Sequence, residues 1–201
     1  MSSPLKAERG LLVAFEGLDQ SGKQTQAELL RDRLTPHDRR VRLLSFPDYQ
    51  TVIGAEIGRA LRGERDYTAD VMQLLYVANR YECKGEILRT KASGTIVVCD
   101  RYLASSIAYG EAQGLDAGWL TDIQKYLPQP DITFLLDIAP DVSARRKTAD
   151  SDKYERDLSM LGRVRDSYLR QAAQAGWVRL DASRDKTEIA SDVFGLVHSR
   201  L

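Results

Sequence analysis

The sequence predicts an α/β fold in three layers, a five-stranded parallel sheet between helices, with a short mobile lid. Short apolar runs alternate with longer amphipathic segments, the rhythm of strand–helix units whose strands lie parallel. The runs are close to continuously apolar, as in strands buried on both faces. The first run leads at once into a glycine-rich turn that opens a helix, "FEGLDQSGKQTQ" from Phe15 to Gln26. At 201 residues the chain has the size of one well-packed domain, and nothing in it asks for a second.

Taken in order, "LLVAF" (11–15) reads as a buried strand, and the helix from Gly22 to about Leu34 follows directly. "VRLLSF" (41–46) is a second strand, stopped by Pro47. Residues 51–62 form a helix with Ile53, Ile57 and Leu61 on one face. From Asp70 to about Lys91 the apolar spacing is helical, with Leu74, Leu75, Ala78 and Ile87 as core contacts. "TIVVC" (95–99) is the third strand, and helical stretches cover 103–113 and 117–126. "DITFLLDI" (131–138) is the fourth strand, and Pro140 suits the first turn of the next helix. "WVRLDA" (177–182) is the fifth, before a closing helix at 185–199. Repeats, low-complexity tracts and linkers do not appear. "RRKTADSDKYERD" (145–157) is too charged for a core. Such a run is ordinarily a solvated face or loop, and it also has the composition of a mobile cover, the expected lid.

Composition narrows the function classes. The chain carries 29 basic and 29 acidic residues, so it lacks the global positive field of nucleic-acid binders, and any anion site must be local. The two cysteines, Cys83 and Cys99, form neither a C-x-x-C nor a zinc pattern. They suit a reducing compartment and small, partly buried core thiols. The first ten residues lack an apolar leader core and no apolar run approaches a membrane span, so a cytoplasmic protein without membrane contact is expected. His37 and His198 fall in a turn and the last helix, away from every motif.

The turn after the first strand nearly spells a phosphate-binding loop, G-x-x-x-x-G-K-[ST], with Gly17, Gly22 and Lys23 in place. Its strand–turn–helix setting lets backbone N–H groups wrap phosphates at a helix N-terminus. The expected hydroxyl residue is replaced by Gln24, with Thr25 one step late. That weakens direct side-chain help for Mg²⁺ but leaves the backbone cradle and Lys23. In "VVCDRY", Asp100 follows a buried strand, where ligands of open α/β sheets gather and where such proteins place a second magnesium handle. Arg101 follows in place of a water-activating glutamate, which favours phosphoryl transfer over hydrolysis. The bland alternative is an Asp–Arg pair that only caps the next helix.

Together these segments resemble the thymidylate kinase family of P-loop nucleoside monophosphate kinases. The resemblance runs through "FEGLDQSGK", "SFPDYQTVIG", "LLYVANRYECK", "CDRYLASSIAYG" and "DKYERD…YLRQAA", nearly the whole chain. It implies ATP-dependent phosphorylation of dTMP to dTDP, in the route to dTTP, with Mg²⁺, by a cytoplasmic homodimer paired through helices such as 70–91. Gly17, Leu18, Asp19, Gln20, Ser21, Gly22, Lys23, Gln24 and Thr25 would bind the ATP phosphates, with Asp19 also facing the acceptor. Phe46, Pro47 and Tyr49 would line the acceptor pocket, Tyr76 would stack on thymine and Arg80 would hold the acceptor phosphate. Asp100 would reach magnesium through water, and Arg101 would lie between the two phosphate groups. Ser105 and Ser106 would read the base edge, Tyr109 would crowd the sugar 2′ position, and Asp152, Tyr154 and Glu155 would close over the acceptor from the lid. Some relatives carry a loop arginine where this chain has Gln20, so the further cation would be a lid arginine, Arg145 or Arg146.

From spacing alone, Tyr76 and Arg80 share a helix face. That suits a stacked base with a phosphate and equally a buried cation–π pair. Tyr109 and the serines read equally as helix packing, and the lid arginines as a solvated helix end. Two functional alternatives also stand at this level. One is a kinase for another nucleotide or a deoxynucleoside, in which Glu16 would take a hydroxyl proton. The other is a non-catalytic nucleotide-binding module.

Overall fold

In the computed structural model, residues 10–146 and 158–201 are described. Five strands form one sheet: β1 (Leu12–Glu16), β2 (Val41–Ser45), β3 (Ile96–Asp100), β4 (Ile132–Asp137) and β5 (Trp177–Asp181). Their order is β2-β3-β1-β4-β5 and every pairing is parallel. The expected five-stranded parallel sheet is therefore present. β1 sits at its centre, where neighbours on both sides satisfy its backbone.

Successive residues of a strand point to opposite faces, and both faces are covered. Leu11, Val13 and Phe15 enter the larger core with Val98, Phe134, Leu30 and Leu34, and Phe15 stacks on Phe134 at 5.3 Å between centroids. Leu12 and Ala14 enter the second core with Val97, Cys99, Tyr102 and Ile87. This double burial is why β1, β3 and β4 read as nearly unbroken apolar runs, whereas the edge strands β2 and β5 carry exposed residues. Cys83 and Cys99 are free thiols and both are buried rather than partly so; burial pushes the Cys83 thiol up to about 11.

The helices are α1 (Lys23–Leu34), α2 (Val52–Leu61), α3 (Ala69–Ala92), α4 (Leu103–Ala112), α5 (Ala117–Asp122), α6 (Pro140–Arg145), α7 (Leu158–Gln171) and α8 (Lys186–His198). Three expectations change. α5 stops at Asp122 rather than 126, because Gln124, Lys125 and Leu127 close tight turns on residues three back and Pro128 follows. α7 was not expected, although Met160, Leu161, Val164 and Tyr168 form its buried stripe. On α3, Leu74 faces solvent, while Met72, Gln73, Val77, Asn79, Arg80, Cys83 and Ile87 turn inward. The apolar spacing of α3 holds two stripes, and the one that packs inward also carries the polar residues of a cleft. His37 and His198 close a ring trio with Phe194 at 5.3 Å, outside that cleft.

Candidate active site

The carboxyl ends of β1, β2 and β3 open into a cleft of about 410 Å³. Its wall gathers Asp19, Gln20, Gly22, Lys23, Gln24, Thr25, Phe46, Pro47, Tyr49, Tyr76, Arg80, Asp100, Arg101, Ser105, Ser106 and Tyr109, all of them expected from the sequence. Ser45, Leu61 and Gln73 join them unforeseen.

At one end lies the loop between β1 and α1. Gly17 has φ 140° and a Cβ there would sit 2.5 Å from the Leu136 carbonyl oxygen, while Gly22 at φ 93° starts α1. Both need glycine, the first for approach and the second for its left-handed backbone. Leu18 is buried in the core, and Ser21 Oγ is buried with no hydrogen-bond partner. Lys23 Nζ donates to the Leu18 carbonyl at 2.8 Å and lies 3.9 Å from Asp19 Oδ1. Burial, with the Arg101 charge adding to it, pulls the Lys23 ammonium down to about 8. An ammonium held so far below its ordinary value is a cation waiting for an anion. Gln24, at the cleft wall, is exposed and donates its amide to Glu28 at 2.9 Å.

Arg101 occupies the middle, in a left-handed backbone conformation at φ 62° that a non-glycine residue adopts at a cost. Its guanidinium pairs with Asp19, donates to Ser105 Oγ at 3.2 Å, to the Tyr168 hydroxyl at 3.3 Å and to the Tyr109 hydroxyl at 3.2 Å, and lies 5.1 Å over the Tyr109 ring. Beneath it is Glu16, fully buried at the end of β1. Glu16 accepts from Tyr102 N (2.8 Å), from Ser105 N (3.3 Å) and Oγ (2.7 Å) and from the Tyr168 hydroxyl (3.1 Å). It thus holds the N-terminus of α4 and fixes two residues that fix Arg101. A carboxylate so satisfied is a scaffold, which removes it as the proton acceptor a hydroxyl substrate would need.

At the other end, Arg80 is buried and donates to Ser106 Oγ at 2.7 Å, its Nε having no partner. Asn79, wholly buried, accepts from Asp48 N at 2.8 Å and donates to Thr51 Oγ1 at 2.8 Å. That latch fixes the corner after β2, where the Phe46–Pro47 bond is cis. Tyr49 is half exposed at the rim.

Asp100 Oδ1 is buried and has no hydrogen-bond partner. An orphaned carboxylate oxygen at a strand end, beside a phosphate-type loop, is chemistry that a hydrated divalent cation satisfies. Among the described residues no three His, Cys, Asp or Glu side chains converge as a metal cage, so such a cation would share its ligands with phosphate and water.

The expected lid arginines separate. Arg145, the last residue of α6, is exposed and pairs with Asp141 four residues earlier, outside the cleft wall. Arg146 also lies outside the cleft wall but donates to the Ala182 carbonyl at 3.3 Å and to the Gln20 carbonyl of the loop at 3.5 Å. Asp152, Tyr154 and Glu155, with most of the lid at 147–157, lie outside the described residues. Sequence reasoning missed Tyr168, Gln73 and the structural role of Glu16. A charged residue ending an apolar strand was the signal for Glu16, and spacing three before Tyr76 and seven before Arg80 was the signal for Gln73.

A family model for thymidylate kinase matches residues 15–193. The thymidylate kinase of Schizosaccharomyces pombe is 34% identical, over 96% of this chain and 93% of its own length. A probable thymidylate kinase of Pyrobaculum aerophilum is 37% identical, over 92% and 95%. The thymidylate kinase of Candida albicans, a structure described for the origin of broad substrate specificity, superposes with a TM-score of 0.85 at 28% identity, covering 96% of this chain and 92% of that one. With the family model matched over residues 15–193 and relatives more than 30% identical along nearly all of its length, this chain belongs to the thymidylate kinase family.

Proposed function

We propose that this protein transfers the γ-phosphoryl group of ATP to the 5′-phosphate of dTMP, giving ADP and dTDP. The observation that carries the reading is Arg101, a partly buried cation set between a phosphate-type loop and a wall of rings and arginine. Two polyanions must approach end to end, so positioning and positive charge are the whole task. A phosphate monoester has a second pKa of about 6 and is largely dianionic at neutral pH, so no general base is required. Glu16, the carboxylate a hydroxyl acceptor would call on, is already committed to four donors.

In this reading the Gly17–Thr25 segment cradles the donor phosphates and Lys23 spans the β/γ bridge. Asp19 holds Arg101 and Lys23 in place until phosphate oxygens compete for them. Arg101 then bridges donor and acceptor, and Arg80 and Tyr76 hold the acceptor. Asp100, helped by Thr25, would hold Mg²⁺ through water, and the bound ion supplies charge neutralisation on the phosphate oxygens. Tyr109, already fixed by Arg101, crowds the sugar. Arg146 is the better candidate for the further cation because it already borders the Gln20 carbonyl. We infer a cytoplasmic homodimer as well. Leu74, Ala78, Tyr81, Gly85 and Leu88 recur along one side of α3, and Leu74 and Leu88 are 47% and 48% exposed, a pattern that suits helix pairing between copies.

The test is an ADP-release assay with MgATP and, in turn, dTMP, dUMP, UMP and thymidine. Turnover with dTMP and none with thymidine is expected. Thymidine outcompeting dTMP would replace the reading with a nucleoside kinase, and ATP binding without transfer to any acceptor would end it.

A further inference from the structure

Gln73 is 1% exposed and lies in the wall of the cleft, and its Oε1 accepts no hydrogen bond. A buried amide oxygen without a donor is costly to keep, and such groups in native structures ordinarily have a partner. Its place on α3 says where that partner arrives. Residues three and seven positions apart share one helix face, so Gln73, Tyr76 and Arg80 project together, and all three line the cleft. The same wall carries the apolar side chains of Leu61 from α2 and of Phe46 and Pro47 after β2 beside the Arg80–Ser106 pair. Apolar side chains with a tyrosine ring and one unsatisfied amide suit a planar heterocycle that carries a ring N–H.

We propose that Gln73 is a specificity-determining residue that recognises the edge of the acceptor base, its Oε1 accepting the N3–H of a thymine- or uracil-type ring. The inference rests on the dTMP kinase reading above. An imide N3–H lies between two ring carbonyls, and an amide is its complement, offering one acceptor and one donor in a plane. Cytosine has no hydrogen on N3, so it leaves the Gln73 acceptor unmatched unless the amide turns over. A site built to hydrogen-bond a substrate N–H discriminates strongly against rings that lack it, because its own polar group is then left unpaired.

The experiment compares dTMP with N3-methyl-dTMP as acceptor, in kcat/KM and in equilibrium binding, on the wild type, Gln73→Ala and Gln73→Met. Gln73→Ala opens room for the added methyl, and Gln73→Met keeps the volume without the amide. In the wild type, N3-methylation is expected to lower kcat/KM by about 10- to 100-fold. Both variants should lose a comparable factor with dTMP itself, with KM for MgATP unchanged, and in Gln73→Ala the methylation penalty should shrink to within about threefold because the two losses report one bond. If Gln73→Met phosphorylates dTMP as well as the wild type, or if methylation costs Gln73→Ala as much as the wild type, the assignment is overturned. Wild-type protein that does not phosphorylate dTMP at all would instead overturn the activity on which the inference rests.

Discussion

At the donor end of the cleft, the anion site comes from the backbone of one contiguous segment, Gly17 to Lys23, laid between β1 and α1. At the proposed acceptor end, it would come from single side chains, Arg80 on α3 and Arg101 between β3 and α4, with Arg101 tied into a polar network through Glu16, Ser105 and Tyr168. Backbone donors need only the right turn, so Gln24 can replace a hydroxyl residue while the loop keeps its shape. Side-chain donors need their supporting contacts, so loss of a hydroxyl far from the substrates propagates. The donor end should therefore tolerate side-chain change outside Lys23 and the two glycines, Gly17 and Gly22, and the acceptor end should not.

Lys23→Met gives the largest effect at the donor end, with kcat falling on the order of 10³-fold. Its stability should move the other way. Burial holds Lys23 at about 8 against 10.5, so the unfolded chain binds the extra proton between those values and stability rises with pH across that window. Below it, the charged form is held at a cost, and removing the charge should stabilise the nucleotide-free protein by up to about 3 kcal/mol near pH 7, read as a rise in Tm. A Tm that falls would show the Leu18 carbonyl contact outweighing burial. The same shift predicts proton uptake when ATP binds near about pH 8.5, because phosphate favours the ammonium. Calorimetry in buffers of different ionisation heat measures it, and no buffer dependence would contradict the shifted Lys23.

Tyr168→Phe sharpens the comparison from the acceptor end. It removes one hydroxyl between Arg101 and Glu16 and should lower kcat about 10-fold with KM for MgATP unchanged. A wild-type kcat would mean that Arg101 needs only Asp19. Arg146→Ala should reduce kcat/KM more than Arg145→Ala, whose side chain is already paired with Asp141; equal effects would remove the distinction. Gln24→Ser should be the mildest, within about twofold in kcat, since the amide faces Glu28. A large gain would show that the loop has been waiting for a hydroxyl.

The same contrast explains what could be read from the sequence. The sheet was legible because its three inner strands are buried on both faces, and the loop because a backbone site leaves glycines at fixed spacing. Phe46, Tyr76, Arg80 and Tyr109 were reached through family resemblance rather than chemistry, since spacing alone left packing roles open, whereas Arg101 already stood out after the third strand as a cation in place of a water-activating glutamate. α7 escaped because a charged stretch precedes it and its buried stripe ends in polar Ser167 and Gln171. Tyr168 escaped with it. Glu16 could be seen as a stray carboxylate, but its four donors come from α4 and α7, and no local pattern records contacts between residues 86 to 152 positions apart.

Arg101 is where the two ends meet, and its removal tests the account most directly. Phosphorus NMR would follow the γ-phosphoryl group from MgATP to dTMP in the wild type and in Arg101→Ala, after calorimetry has shown that each nucleotide still binds. The account predicts that the β-phosphate of dTDP appears with the wild type and is slowed on the order of 10³-fold or more in the variant. Transfer by Arg101→Ala at a near-wild-type rate would contradict it.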